Sequence, residues 1–347
     1  MPLADVSLQP LSAVLVGCGG ISRAWLDAVP TLPNLAMTGF VDLNQEAATH
    51  RAAEYGWEGA VVGTDLAAVL AQTKADIVFD CTVPEAHLPV TLTALDHGCH
   101  VLGEKPLAAG MDAAKQLVAA AGAAGRLFAV MQNRRYDANI RRLAAFLQSG
   151  AIGELTTINA DFYIGAHFGG FRDVMPHVLL LDMAIHTFDA ARLLTAADPL
   201  AVYCHEWNPT ASWYQSGASA VAIFEMTQNI VFTYRGSWCA EGLRTSWESD
   251  WRIVGTRGSV CWDGADGFQA EVVSEADAFF STLQAVAVPP SAPDAKIGGH
   301  AGAIRDFVRC VRTGAVPETL ASDNIKSLAM VLGAIESAER RSRTTIG

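Results

Sequence analysis

Val14-Leu15-Val16-Gly17-Cys18-Gly19-Gly20-Ile21-Ser22, followed by Asp42 at the close of a second apolar run over residues 36–41, decides how the rest of the chain is read. An apolar run without alternation predicts a strand buried on both faces. It leads into a glycine turn and then a helix over residues 21–29. Glycines let the backbone turn tightly and approach a pyrophosphate, which sits against free N–H groups at the helix start. An acid about 20 residues further on accepts hydrogen bonds from a ribose. Ser22 stands where a third glycine is usual. Strand, turn, helix and acid in this order nevertheless point to a dinucleotide site built from Gly17, Gly19, Gly20, Ile21 and Asp42.

The alternation continues through the first half. Helices are expected over residues 45–55, 65–71, 84–96 and 113–123, and strands over 60–62, 76–82, 100–103 and 126–131. Pro84 suits a first helical position, where its missing N–H is no loss. Strands joined by helices and short turns imply a parallel sheet wound on both faces, with ligands bound off the carboxyl ends of the strands. Three segments emerge at that edge: residues 17–22, 82–87 and 104–106. A lysine at a strand end with a proline after it, Lys105-Pro106, either points into the cofactor crevice or pairs with Glu104 at the surface.

From Tyr136 the pattern changes. After a helix over residues 139–149, strands dominate at 154–164, 201–206, 218–225, 230–238, 251–255, 259–262 and 269–273. Several alternate apolar and polar residues, which implies a largely antiparallel sheet with one face covered. Residues 288–296 read as a loop, and helices over 300–312 and 323–341 close the chain. One further helix, over residues 176–189, carries Asp182, His186 and Asp189 at spacings of four and three, so the three share a face. Among apolar neighbours a carboxylate can orient an imidazole and tune its proton affinity. Nine residues separate His177 from His186 and place it on the opposite face, so no metal site is expected.

Composition sets the limits. The 347 residues are enough for two domains, and 51% hydrophobic with 17% charged residues argues for folded cores. A net charge of −12 argues against a nucleic-acid surface. The basic pairs Arg134-Arg135 and Arg141-Arg142 read as a solvated helix face. No apolar stretch approaches the length of a membrane span, and the first ten residues lack a basic region ahead of the first strand, so no secretory signal is expected. Seven cysteines without Cys-x-x-Cys spacing read as reduced thiols of a cytoplasmic protein, and Cys18 as a small loop filler.

Taken together, Val16-Gly17-Cys18-Gly19-Gly20-Ile21, Pro84-Glu85-Ala86-His87, Glu104-Lys105-Pro106 and Asp182-Met183-Ala184-Ile185-His186-Thr187-Phe188-Asp189 resemble the glucose–fructose oxidoreductase and inositol dehydrogenase family (Gfo/Idh/MocA) over nearly the whole chain. The resemblance implies an α/β protein. Its N-terminal Rossmann domain, a doubly wound parallel sheet, covers residues 1–133. An α+β domain with a large, mostly antiparallel open sheet covers residues 134–347, binds substrate and forms a homodimer or homotetramer. It also implies hydride transfer between NAD and a hydroxyl or keto carbon of a sugar, polyol or related compound. Matched by position, Lys105 contacts the reacting hydroxyl, His186 is the general acid/base and Asp182 orients it or the substrate; Thr82, Pro84, His87, Glu104 and Lys105 join the cofactor residues. The stretch ahead of the catalytic helix often carries paired glycines in the family. Here it is Met175-Pro176-His177, so His177 is either a substrate contact or a helix-start residue. Arg172 and Tyr163 are further substrate candidates, and Phe168-Gly169-Gly170-Phe171 a loop that could close over substrate. Asp42, followed by Leu43-Asn44, favours NAD over NADP. The family also holds glycosidases that retain NAD and non-catalytic nucleotide sensors, which stand as alternatives.

Overall fold

Pro30 decides how far the first helix runs. Its ring cannot follow the carbonyl four residues back, and the helix expected over residues 21–29 is α1 (Ser22–Leu26), followed by a single 3₁₀ turn at Val29–Thr31. The computed structural model describes residues 10–275, 279–292 and 296–347. The expectation about the N-terminal segment falls on residues 1–9, and that of a loop at 288–296 falls partly on 293–295; both lie outside the described residues.

The chain divides into two units. The first holds β1 (Leu11–Val16), β2 (Leu35–Val41), β3 (Val61–Gly63), β4 (Ile77–Asp80), β5 (His100–Gly103) and β6 (Phe128–Val130) in one parallel sheet ordered β3-β2-β1-β4-β5-β6. Between them run α1, α2 (Gln45–Glu54), α3 (Leu66–Thr73), α4 (Pro84–Asp96) and α5 (Met111–Ala124). The order reverses between β1 and β4, which opens a crevice at their carboxyl ends. Ala13, Val14 and Leu15 on β1 and Ile77, Val78 and Phe79 on β4 are fully buried. The unbroken apolar runs therefore do face packed layers on both sides.

The second unit begins at Arg134. Asp137 caps α6 (Ala138–Gln148) by accepting from the Asn139 and Ile140 amides. Nine strands form one sheet: β7 (Leu155–Tyr163), β8 (Pro199–Trp207), β9 (Ser219–Met226), β10 (Val231–Ser237), β11 (Asp250–Gly255), β12 (Gly258–Trp262), β13 (Phe268–Glu275), β14 (Thr282–Val286) and β15 (Thr344–Thr345), ordered β14-β13-β12-β11-β7-β10-β9-β8-β15. The pairing is antiparallel except between β7 and β10. Edge strand β14 escapes a sequence reading because its residues are largely exposed and carry no burial pattern.

On one face of this sheet lies the segment that the sequence places in a helix over residues 176–189. A short α7 (Phe171–Val174) comes first, and His177 then adopts a left-handed backbone, φ 50°. A π-helix over Leu179–Ala184 passes into α8 (Ile185–Thr195). His177 therefore precedes the helix instead of lying on its far face. Phe188 packs edge-on against Phe224, Phe232 and Tyr234, with ring centroids 4.8, 6.0 and 5.2 Å apart. Two helices close the chain, α9 (Gly299–Thr313) and α10 (Ala321–Arg340). Residues Gly298–Ile325 belong to the first unit and Lys326–Gly347 to the second, whereas a division at 133/134 assigns all of them to the second. Among the described residues no helix is long and apolar enough to cross a membrane.

Candidate active site

The nucleotide end of the first unit begins where β1 ends. Gly17 has φ +86°, and a Cβ there would lie 2.7 Å from the Cys81 carbonyl carbon and oxygen. Only glycine lets the turn after β1 pass so close to the turn after β4. A Cβ on Gly19 or Gly20 would meet nothing within 4 Å. That open side fits a pyrophosphate brought against backbone. Asp42 follows β2; its carboxylate accepts from the Cys18 amide at 2.7 Å and from the Asn44 amide at 2.9 Å. The acid thus fixes the glycine turn, and each oxygen keeps acceptor capacity for a ribose hydroxyl. Burial and Asp42 push the Cys18 thiol up to about 12, which leaves it a filler and not a nucleophile.

At the ends of β4 and β5 the predicted cofactor residues form one framework. Thr82 donates its amide and hydroxyl to Asp80 Oδ1, at 3.0 and 2.5 Å. Asp80 is fully buried, and burial raises its pKa. Pro84 occupies the first turn of α4. His87, 2% exposed, reaches the Pro106 carbonyl through Nδ1 at 2.9 Å and the Thr82 carbonyl through Nε2 at 3.1 Å, joining the two turns. Glu104 is buried; it accepts from Trp25 Nε1 at 2.7 Å and from the Lys105 amide at 3.1 Å. The Lys105–Pro106 peptide is cis. His87 and Glu104 therefore brace the Lys105 turn from buried positions.

In the second unit Asp182 and His186 are both buried, at 6% and 8% exposure. Arg172 Nε donates to Asp182 Oδ2 at 2.7 Å, and its guanidinium lies over the rings of Phe168 and Phe171 at 5.0 and 4.7 Å. Two sequence candidates, Arg172 and Asp182, are thus brought together with the loop ahead of the helix. Asp189 takes another part: Arg135 grips it through Nε and Nη2 at 2.6 and 2.8 Å, and the Ser327 hydroxyl donates to it at 2.6 Å. His177 is held apart from this group, with Nδ1 2.5 Å from Glu206 Oε2, an interaction that raises its pKa. Tyr163 alternates away from buried Phe162 and shares its strand face with Asn159 and Asp161. The residues paired with that buried side, Tyr234 and Phe232, are the ones that meet Phe188. Tyr163 therefore projects from the sheet face opposite the helix of Asp182 and His186.

Sequence reasoning misses the basic run. Arg134 and Arg135 stand in a 3₁₀ turn, Asn133–Tyr136; Arg135 is buried and the Arg134 side chain is only 11% exposed, instead of solvated. Arg134 lies 3.3 Å from Glu248 and donates to the Trp247 carbonyl; burial lowers its pKa and raises that of Glu248. Arg142 likewise is half-buried, bonded to the Val288 and Pro289 carbonyls. A fully buried tyrosine, Tyr136, directly after the pair is the one local sign that this turn packs inward. Among the described residues no group of three or more His, Cys, Asp or Glu side chains is arranged to hold a metal ion.

Residues 11–132 match a model described as an oxidoreductase family with an NAD-binding Rossmann fold, and residues 140–261 match the C-terminal domain of the same Gfo/Idh/MocA family. The chain belongs to this family. It is an NAD-binding oxidoreductase, and the two matches fall on the parallel and the mixed sheet respectively. Uncharacterized protein y4oX of Sinorhizobium fredii is 24% identical, over 93% of this chain and 92% of its own. The D-apiose dehydrogenase of Paraburkholderia graminis is 27% identical, over 97% of this chain and 90% of its own. In fold the chain is similar to an oxidoreductase from Agrobacterium radiobacter solved with NAD+, L-tartaric acid and magnesium; the TM-score is 0.85 at 22% identity, covering 98% and 99% of the two chains.

Proposed function

We propose that this Gfo/Idh/MocA oxidoreductase transfers hydride between NAD and a hydroxyl or keto carbon of a sugar, polyol or related compound, with Lys105 and His186 acting on the substrate oxygen. The observation that carries the reading is the bracing of Lys105. Its amide is held by Glu104, Glu104 by Trp25, and the adjoining Pro106 carbonyl by His87, all at the carboxyl edge of the sheet that carries the glycine turn. Three contacts on one lysine turn at the sheet edge support a task that needs its position kept. The D-apiose dehydrogenase among the relatives supports the substrate class.

NAD+, when bound, accepts the hydride from the carbinol carbon. On the protein's side, the Lys105 ammonium donates to the reacting hydroxyl and lowers its proton affinity, and the His186 imidazole takes the proton as the carbonyl forms. In the reduction direction His186 returns it. Asp182, neutralised by Arg172, fixes the charge beside the imidazole and positions the loop of Phe168 and Phe171. Asp42 disfavours a 2′-phosphate by like charge. The second unit is assigned to substrate binding and to self-association as a homodimer or homotetramer. The exposed Tyr203, Trp207 and Ile223 on the open sheet face support that assignment, and light scattering on the eluted protein measures it. A cytoplasmic location completes the proposal.

The test is absorbance of reduced nicotinamide across a sugar and polyol panel, with NAD and with NADP, for the wild type, Lys105→Ala and His186→Ala. Turnover with NAD is expected, reduced roughly 10²- to 10⁴-fold in each variant. Unchanged turnover in either variant overturns the role given to that residue.

A further inference from the structure

Arg51 lies beneath the glycine turn. It is on α2, is 5% exposed, and its Nη2 donates to the carbonyl oxygens of both Cys18, at 3.0 Å, and Gly19, at 3.1 Å. Nη1 pairs with Glu54 at 2.6 Å, and Glu54 also pairs with Arg23 of α1 at 2.9 Å. The Ser22 hydroxyl, at the position of the usual third glycine, adds a further bond to the Gly19 carbonyl at 2.7 Å. Arg51 Nε is buried with no acceptor. The guanidinium is thus seated for the turn at the expense of one of its own donors.

A trans peptide points its N–H opposite to its carbonyl. Arg51, by drawing the Cys18 and Gly19 carbonyls to itself, turns the amides of Gly19 and Gly20 to the side away from the guanidinium, and a Cβ at either glycine would meet nothing within 4 Å. Among the described residues the Gly19, Gly20 and Ile21 amides donate to no acceptor. Successive outward N–H groups of this kind make an anion-binding concavity, and a charged donor on the carbonyl side polarises each peptide toward stronger donation at its N–H. We infer that Arg51 is a positioning residue for the cofactor's pyrophosphate: it aims and polarises the Gly19 and Gly20 amides without itself touching the ligand. The inference rests on the assignment of NAD to this turn and adds a residue outside the glycine pattern that sets how tightly phosphate is held.

The test separates phosphate from nucleoside. Binding of NAD+, ADP and adenosine is measured by titration calorimetry, with ligand-observed NMR for the weakest, on the wild type, Arg51→Lys and Arg51→Met, each confirmed folded by its melting curve. In Arg51→Met the NAD+ and ADP dissociation constants are expected to rise roughly tenfold, with adenosine within about twofold of the wild type because Asp42 is untouched. Arg51→Lys, which keeps the charge but cannot span both carbonyls and Glu54, falls between. If Arg51→Met yields too little folded protein, the Arg51→Lys ratio of ADP to adenosine affinity decides alone. Equal ADP affinity in wild type and variants, or equal loss for adenosine and ADP, overturns the inference while the cofactor assignment stands. Failure of the wild type to bind ADP overturns both.

Discussion

The same substitution, glycine to alanine, is expected to have opposite consequences two residues apart. At Gly17 the new methyl meets backbone: 2.7 Å to the Cys81 carbonyl carbon and oxygen and 2.9 Å to the Thr82 nitrogen, at φ +86°. A left-handed backbone costs an L-residue about 1–2 kcal/mol. Crowding that no side chain can relieve adds about 1–3 kcal/mol, for a total of roughly 2–5 kcal/mol. At about 2–4 °C per kcal/mol for a unit of this size, the first melting transition falls by roughly 4–20 °C. At Gly19 there is no contact within 4 Å and no positive φ. Alanine there leaves the melting point unchanged or raises stability by up to about 1 kcal/mol through the unfolded chain. Its methyl instead projects to the side assigned to pyrophosphate, and NAD affinity falls. Scanning calorimetry and NAD titration on both variants give the readings. A stable Gly17→Ala protein, or a Gly19→Ala protein that melts early yet binds NAD normally, refutes the account of the turn.

Other outcomes follow from single contacts. Asp189→Ala strands the buried Arg135 guanidinium and loses about 3–5 kcal/mol in urea unfolding, whereas Arg135→Met with Asp189→Leu comes out near neutral; equal losses would exclude an ion-pair origin. His177 has its pKa raised by Glu206, so the stability it adds is complete below its unfolded value of about 6.5 and disappears as pH rises through the folded value. Accordingly His177→Gln should cost roughly 1 kcal/mol near pH 5.5 and almost nothing at pH 9, and a pH-independent loss would contradict the pairing. Trp25→Phe keeps the ring and removes the donor to Glu104, so about 1–3 kcal/mol of stability is lost together with turnover; full activity would show that the Lys105 turn does not depend on this brace. Five of the seven cysteines are buried; a disulfide-exchange reagent should label Cys239 and Cys261 first in the folded protein, and rapid labelling of Cys18 would contradict its burial.

Local pattern was sufficient for much of this protein. The unbroken apolar runs of β1 and β4, the glycines between strand and helix and the acid after β2 are consequences of nearest neighbours along the chain. Backbone period and turn chemistry dictate them before any packing. Alternation in β9 and β10 declared one covered sheet face by the same logic. What the tertiary structure alone decided were partners distant in sequence. Arg134 and Arg135 look like any exposed basic pair until Glu248 and Asp189, far along the chain, enclose their charges. Nothing local announces that His87 joins the Thr82 and Pro106 carbonyls or that Glu104 accepts from Trp25. A carboxylate or imidazole has the same formula whether it faces a ligand or braces a turn. Only the groups that fold against it fix which of the two it does, and in the glycine turn that group is Arg51, 33 residues from Cys18.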